Sequence, residues 1–284
     1  MNSILKCLYF CLCMIFYGCG VDTSTGTSSD YTDQISTVDA SLNDQFSEIE
    51  DAQTTSTEIE GYFGQRVTLS GIAEVPVLGF QETNTVGLGL VKIDNQEGIL
   101  SYRVQTCETK IQRADDIVTT LIPEAFIESI PIAYRTGFID DNQVHFSQLI
   151  ELNGIVLNDP LMDELPTDKE DERIFDQDDD GLPGVTVFVS GLISGQINLI
   201  QRTITQLSGE FDGNKITGLI RWTIDEQILG SDQELLAMGA PITPNIDPAR
   251  SVFELVRIPS EFNCDALINA APTIFDPEPL VINP

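Results

Sequence analysis

Positive charge is scarce in this sequence. Of 284 residues only 14 are Lys or Arg, against 45 Asp or Glu, and the formal charge is −31. Such a surface repels nucleic-acid phosphates and anionic headgroups, which argues against any nucleic-acid partner and favours cations. Histidine is scarcer still, with one copy, His145. One histidine rules out a multi-His zinc site. A Ser-His-Asp triad would need His145 as its base, but there is no Gly-x-Ser-x-Gly elbow, and Ser190-Gly191 and Ser194-Gly195 lack that context. His145 therefore reads as a surface or rim residue of its strand. Phosphate-binding loops, dinucleotide fingerprints and repeats of 20–50 residues are all missing. Among 45 acids some carboxylate pair is inevitable, so pairing alone does not identify a glycosidase. The single tryptophan, Trp222, follows Arg221 but lies on an apolar face, which makes it a core residue.

Long apolar runs are lacking too. The run at residues 7–17 follows one early cation, Lys6, and is too short to span a bilayer. It ends Phe16-Tyr17-Gly18-Cys19-Gly20, which resembles the bacterial lipoprotein lipobox. The resemblance implies cleavage before Cys19 and acylation of that cysteine. Acyl chains anchor stably because each buried CH₂ contributes about 0.8 kcal/mol. Gly20 after the cysteine implies sorting to the outer membrane. The expected organisation is a lipoprotein signal peptide at 1–18 and a disordered Ser/Thr/Asp-rich tether at 19–59. A β-domain at 60–270 and an irregular Pro-rich tail at 271–284 follow.

Six cysteines occur. Cys7, Cys11 and Cys13 leave with the signal, and Cys19 is the lipidation site. Cys107 and Cys264 remain, an even pair in an exported chain, for which a disulfide is expected. Two separate buried thiols are the alternative.

What the chain has in plenty is acid, concentrated at Asp176-Gln177-Asp178-Asp179-Asp180-Gly181-Leu182-Pro183-Gly184. Alternate residues of an extended turn point the same way, so Asp176, Asp178 and Asp180 can converge on a hard cation, and Gly181 allows the bend after them. The spacing resembles the Asp-x-Asp-x-Asp-Gly calcium motif. An EF-hand is excluded, because its twelfth position needs Glu and here holds Val187. Structural calcium is the expected cofactor, with Asp168, Asp171, Asp179 or a carbonyl near Leu182 as further donors. The alternative is a solvated acidic turn entering a strand.

Around this loop the pattern is β. Val67 and Leu69 alternate with Thr68 and Ser70, Val86, Leu88 and Leu90 with Gly87 and Gly89, and Tyr102 and Val104 with Arg103 and Gln105. Further strands fall at 133–139, 143–152, 185–193, 197–206, 209–211, 215–224 and 251–258. Pro123 followed by Glu124 opens one short helix. A capping box, Ser231-Asp232-Gln233-Glu234, opens a second that Gly239 ends. Nine or ten strands in hairpin order predict an all-β fold. We expect an antiparallel up-and-down, lipocalin-like barrel with two short helices, with a β-sandwich as the alternative.

Several segments together resemble a group of predicted lipoproteins of environmental Gram-negative bacteria. They are Cys107, Ile122-Pro123-Glu124-Ala125-Phe126, Leu165-Pro166-Thr167-Asp168, the 176–186 loop, Gln201-Arg202, Leu207-Ser208-Gly209 and Gly218-Leu219-Ile220-Arg221-Trp222. That group carries no activity to transfer. The functional expectation is an exported, non-enzymatic β-domain lipid-anchored to the outer membrane, with structural calcium and a small or apolar ligand. A surface module recognising protein or glycan is the second reading and a hydrolase the third.

Overall fold

In the computed structural model, residues 59–75, 79–113 and 118–275 are described. The expected signal peptide, the lipidation site Cys19 and nearly all of the tether lie outside the described residues, as does the tail from residue 276. Eleven strands form one sheet: β1 (Gly61–Val75), β2 (Gly79–Gln96), β3 (Ile99–Arg113), β4 (Val118–Leu121), β5 (Ala133–Asp140), β6 (Gln143–Asn153), β7 (Val185–Gly191), β8 (Gly195–Phe211), β9 (Lys215–Ser231), β10 (Ile242–Pro244) and β11 (Val252–Arg257). Helix α1 spans Glu124–Ser129 and helix α2 Cys264–Ile274.

Tight turns set the topology. Glu97 and Gly98 join β2 to β3 with φ of 53° and 88°, as a two-residue hairpin requires. Asp212 Oδ1 accepts from the N–H groups of Asn214 and Lys215 and holds the β8–β9 turn. Sequential antiparallel pairing runs β1, β2, β3, β5, β6, β8, β9, β11, and β11 returns to β1. The ring of 8 strands is closed, and the fold is the expected all-β, antiparallel one. Five strands, β1, β2, β3, β8 and β9, are 15 to 18 residues long, longer than the short strands expected. They outrun their neighbours, and shorter strands fill in. Beside β1, β11 pairs residues 63–68 and β10 residues 71–73. Along β8, β6 pairs residues 201–210 and β7 residues 195–199.

One half of the barrel is solid. Phe63, Tyr102, Phe146, Phe211, Trp222 and Phe253 meet there in the largest hydrophobic cluster. Fully burying each such side chain contributes about 1.5–3 kcal/mol. Trp222 takes the predicted core role, with its indole N–H donating to Ser251 Oγ at 2.9 Å, while Arg221 points out to solvent. The outward faces carry charge at Arg103, Arg221 and Asp225 and exposed rings at Tyr134 and Phe138. No described helix is long and apolar enough to cross a membrane.

The helices depart from expectation in two places. Helix α1 forms where Pro123 predicts it. The Ser231 capping box does not open a helix. The β8–β9 ladder continues to Ser231, whose hydroxyl donates to Gln196 O at 2.8 Å, and only a 3-10 turn, Leu236–Met238, follows. The second helix is α2, capped by Asn263 through Ala266 N–H at 2.9 Å and running four residues into the expected tail. It lies on the outside of the barrel, where Leu267 and Phe275 cover Leu88 and Leu90. The expected disulfide between Cys107 and Cys264 is present, with Cα atoms 5.1 Å apart. Cys107 sits at the bulge where β2 and β3 shift register, and Cys264 is the first residue of α2.

Candidate functional site

Above the aromatic plug the barrel is hollow. Inward residues of the long strands enclose a cavity of about 350 Å³, within the ~300–1,000 Å³ range of small-molecule sites. Val67 and Leu69 of β1, Ile111 of β3, Leu199 of β8 and Ile224 of β9 supply aliphatic wall, and Thr83, Thr85, Thr106 and Thr203 add a band of hydroxyls. Phe126 and Ile127 of α1, with Leu235 and Leu236, line the end away from the plug. Gly87 and Gly89 face inward on β2. A Cβ at Gly87 would stand 2.9 Å from Val67 Cγ2, and one at Gly89 3.0 Å from Gln105 O, so their bareness is what lets the wall close while leaving space.

The cavity floor is polar and rests on the plug. Arg135 of β5 points inward with 8% of its surface exposed. Its guanidinium lies 5.2 Å from the Tyr102 ring centroid, and its Nη2 donates to Thr205 Oγ1 at 3.1 Å. Arg135 Nε and Nη1 have no hydrogen-bond partner. The Tyr102 hydroxyl donates to Gln65 Oε1, and burial raises the phenol's pKa. Glu151 lines the same cavity, and burial raises its pKa, opposed by the charge of Arg135. Burial in turn lowers the pKa of Arg135, opposed by Tyr102 and Glu151. Glu226 lies further along β9 with its pKa raised by burial, against the hydrogen bond that Gln201 Nε2 donates to it at 2.8 Å. None of Gln65, Arg135, Glu151 and Glu226 stands out in the sequence. The alternation that would reveal them is hidden because Tyr134 and Phe138, the apolar residues of β5, point outward and are exposed.

The aspartate loop lies on the barrel's outer side, in the excursion between β6 and β7. Ile155, Leu157 and Ile200 form a small core beneath it, and Arg202 of β8 ties it down by donating to Pro160 O at 3.0 Å and Asp163 O at 2.8 Å. Gly184 adopts φ 90°, and a Cβ there would stand 2.3 Å from Leu199 O, so the return into β7 admits only glycine. Gln177 joins the loop to two other elements: its Oε1 accepts from Gly154 N–H at 2.6 Å and its Nε2 donates to Ser129 Oγ of α1 at 3.2 Å.

The structure brings Asp176, Asp178 and Asp180 together. One carboxylate oxygen from each lies within 4.8 Å of the others. Calcium bonds of ~2.3–2.6 Å require its ligands to sit within about 5 Å of each other, so the trio fits one ion. Asp178 Oδ2 accepts from Thr186 N–H at 2.9 Å, and Asp180 Oδ2 from the Thr186 hydroxyl at 2.5 Å. Asp178 is 8% exposed and its Oδ1 has no partner. Burial raises its pKa, the Thr186 N–H opposes this, and the charges of Asp180 and Asp176 add to it. Among the described residues the cluster holds these three acids only. Asp171 is not brought in, because Arg173 takes both its oxygens at 2.9 Å and holds its pKa down at about 2. Asp168 caps its own turn through Glu170 N–H at 3.0 Å. Asp179 is exposed in the left-handed region at φ 57°.

His145 lies on the outer face of β6, against Ser208 Oγ at 3.3 Å and the Phe138 ring at 5.0 Å, away from both sites. Compared with known proteins, the chain matches no protein-family profile, no curated protein and no solved structure.

Proposed function

We propose that this chain is an exported carrier, anchored to the outer membrane through acylated Cys19, whose barrel holds a small, largely apolar ligand without transforming it. The observation that carries this reading is the cavity of about 350 Å³, walled by aliphatic side chains above a solid aromatic plug. A filled interior would instead have favoured recognition by the outer loops. The same reading assigns calcium a structural role, holding the 176–184 loop at the entry to β7. The free Oδ1 of buried Asp178 supports it: a buried carboxylate oxygen without a hydrogen bond is costly unless a cation faces it. Native mass spectrometry of the full chain with Cys19→Ser, which removes the acylation site, tests both parts. The expected result is a retained calcium ion and a co-purified or readily loaded small apolar molecule. A barrel that carries no such molecule and takes up no neutral apolar dye would overturn the carrier reading. A chain that stays metal-free in millimolar calcium would overturn the calcium role.

A further inference from the structure

Among the described residues, two that face the cavity carry buried polar atoms without a hydrogen-bond partner, the Thr83 hydroxyl and the Arg135 guanidinium, and Arg135 is the charged one. It is buried to 8% exposure at the floor, yet two of its three nitrogens, Nε and Nη1, have no acceptor. Its contacts are the Tyr102 ring and the Thr205 hydroxyl, neither of them an anion. Glu151 shares the floor, but no ion pair joins it to Arg135 among the described residues. A buried guanidinium with unmet donors is costly, and its planar fork matches the two oxygens of a carboxylate better than any other common group. Beyond it Val67, Leu69, Ile111, Leu199 and Ile224 give aliphatic surface as far as Phe126 and Leu236, interrupted by the threonine band and Glu226.

We propose that the cavity takes a medium-chain amphipathic carboxylate, its head group against Arg135 at the floor and its alkyl chain running toward Phe126 and Leu236. This rests on the carrier reading and names the ligand class. Size supports it. At water's share of about 30 Å³ per non-hydrogen atom, the cavity holds roughly a dozen such atoms, the size of decanoate. The two acids facing the cavity do not reverse the preference. Neither Glu151 nor Glu226 is joined to Arg135 by an ion pair among the described residues, so neither occupies its fork, and the cation of Arg135 persists at any physiological pH.

The test uses the full chain with Cys19→Ser, so that it carries no acyl group of its own. Decanoate, 1-decanol and decylammonium are each titrated at neutral pH against bound N-phenyl-1-naphthylamine, a neutral apolar fluorophore. Decanoate is expected to displace the fluorophore ten- to a hundredfold more tightly than decanol, the range for a hydrogen-bonded charge, and decylammonium more weakly than either. Arg135→Gln should bring decanoate down to the level of decanol while leaving decanol unchanged. If decanol matches decanoate, or decylammonium leads, in the unaltered barrel, the carboxylate proposal is overturned and the carrier reading stands. If neither the fluorophore nor any of the three binds, both fall. The comparison in the unaltered barrel decides the matter even if Arg135→Gln does not fold.

Discussion

At the scale of single residues, the acids that the fold buries set how stability responds to pH and metal. Burial raises the carboxyl pKa of Asp178, and that of Glu151 likewise. A raised pKa means that the folded state holds its proton more tightly than the unfolded chain does. These groups therefore favour folding at pH below their ordinary carboxyl values, and the benefit is lost as pH rises through the raised folded values. The metal-free protein should melt at a higher temperature at about pH 5 than at about pH 7.5, a scan that differential scanning calorimetry can make. Asp171, held low by Arg173, works the other way only in stronger acid. Calcium should cancel the loss at neutral pH by facing the free oxygen of Asp178. Asp178→Asn keeps an acceptor for Thr186 N–H but removes the charge. It should melt no lower than the parent without metal, and should lose the rise that calcium gives the parent. An unchanged calcium response in that variant would remove the loop from the account. Gly184→Ala is a harsher change, because it forces a Cβ to within 2.3 Å of Leu199 O at φ 90°. A loss of about 3 kcal/mol is expected in denaturant titration.

At the scale of elements, helix α2 accounts both for a stabilising device and for what the sequence concealed. Its first residue is bonded to the β3 bulge, and the two cysteines are 157 positions apart. By chain entropy a loop of that size is worth at most about 4–5 kcal/mol. Replacing both cysteines by serine should lower the guanidinium midpoint without changing the fold, since Leu267 and Phe275 still bury against Leu88 and Leu90. A midpoint unmoved by the double replacement would mean that the helix holds without its bond. The same helix explains why β2 is misleading as text. The alternation of Val86, Leu88 and Leu90 with Gly87 and Gly89 is plain, and reads as leucines in and glycines out. Because α2 covers the outside, the leucines face out beneath it and the glycines face the cavity. Strand β9 has no such cover, and its alternation points the way it reads, with Ile216, Ile220 and Trp222 in the core. Barrel closure was legible from hairpin order, and so were α1 after Pro123, the disulfide pair and the aspartate trio. Arg135 and Glu151 were not, because a charge on an inward face betrays itself only when the rest of that face is apolar. On β5 the inward neighbours are Ala133, Gly137 and Ile139, weaker as a signal than the outward Tyr134 and Phe138. The Ser231 capping box misled for a different reason: a serine hydroxyl serves a strand end as readily as a helix start, and the β8–β9 ladder claimed it first.

At the scale of the whole barrel, the aspartate loop and the cavity share walls. Asp178 and Asp180 both accept hydrogen bonds from Thr186, and the next residue, Val187, lines the cavity. Gln177 holds Ser129 at the end of α1, whose Phe126 lines the cavity. Phe126 and Val187 also pack in one cluster with Val185 and Leu199. A cation that orders the loop therefore orders one side of the cavity, and the two bindings are coupled. Coupling free energy is reciprocal, so calcium should tighten the cavity for an apolar fluorophore by the same factor as the fluorophore tightens the loop for calcium. A factor of about five, the low end for coupled sites, suits a link through two hydrogen bonds and one packed cluster. With 45 acids on the chain, divalent ions will also stabilise it by general screening, and that effect must be separated. Sodium chloride at matched ionic strength supplies the screening alone. Magnesium adds a divalent charge but demands a tighter octahedral shell at about 2.0–2.1 Å. Calcium should tighten fluorophore binding beyond both salts in the parent, and by no more than they do in Asp178→Asn. Equal effects of calcium, magnesium and matched sodium chloride in the parent would leave the loop and the cavity as independent sites on one barrel.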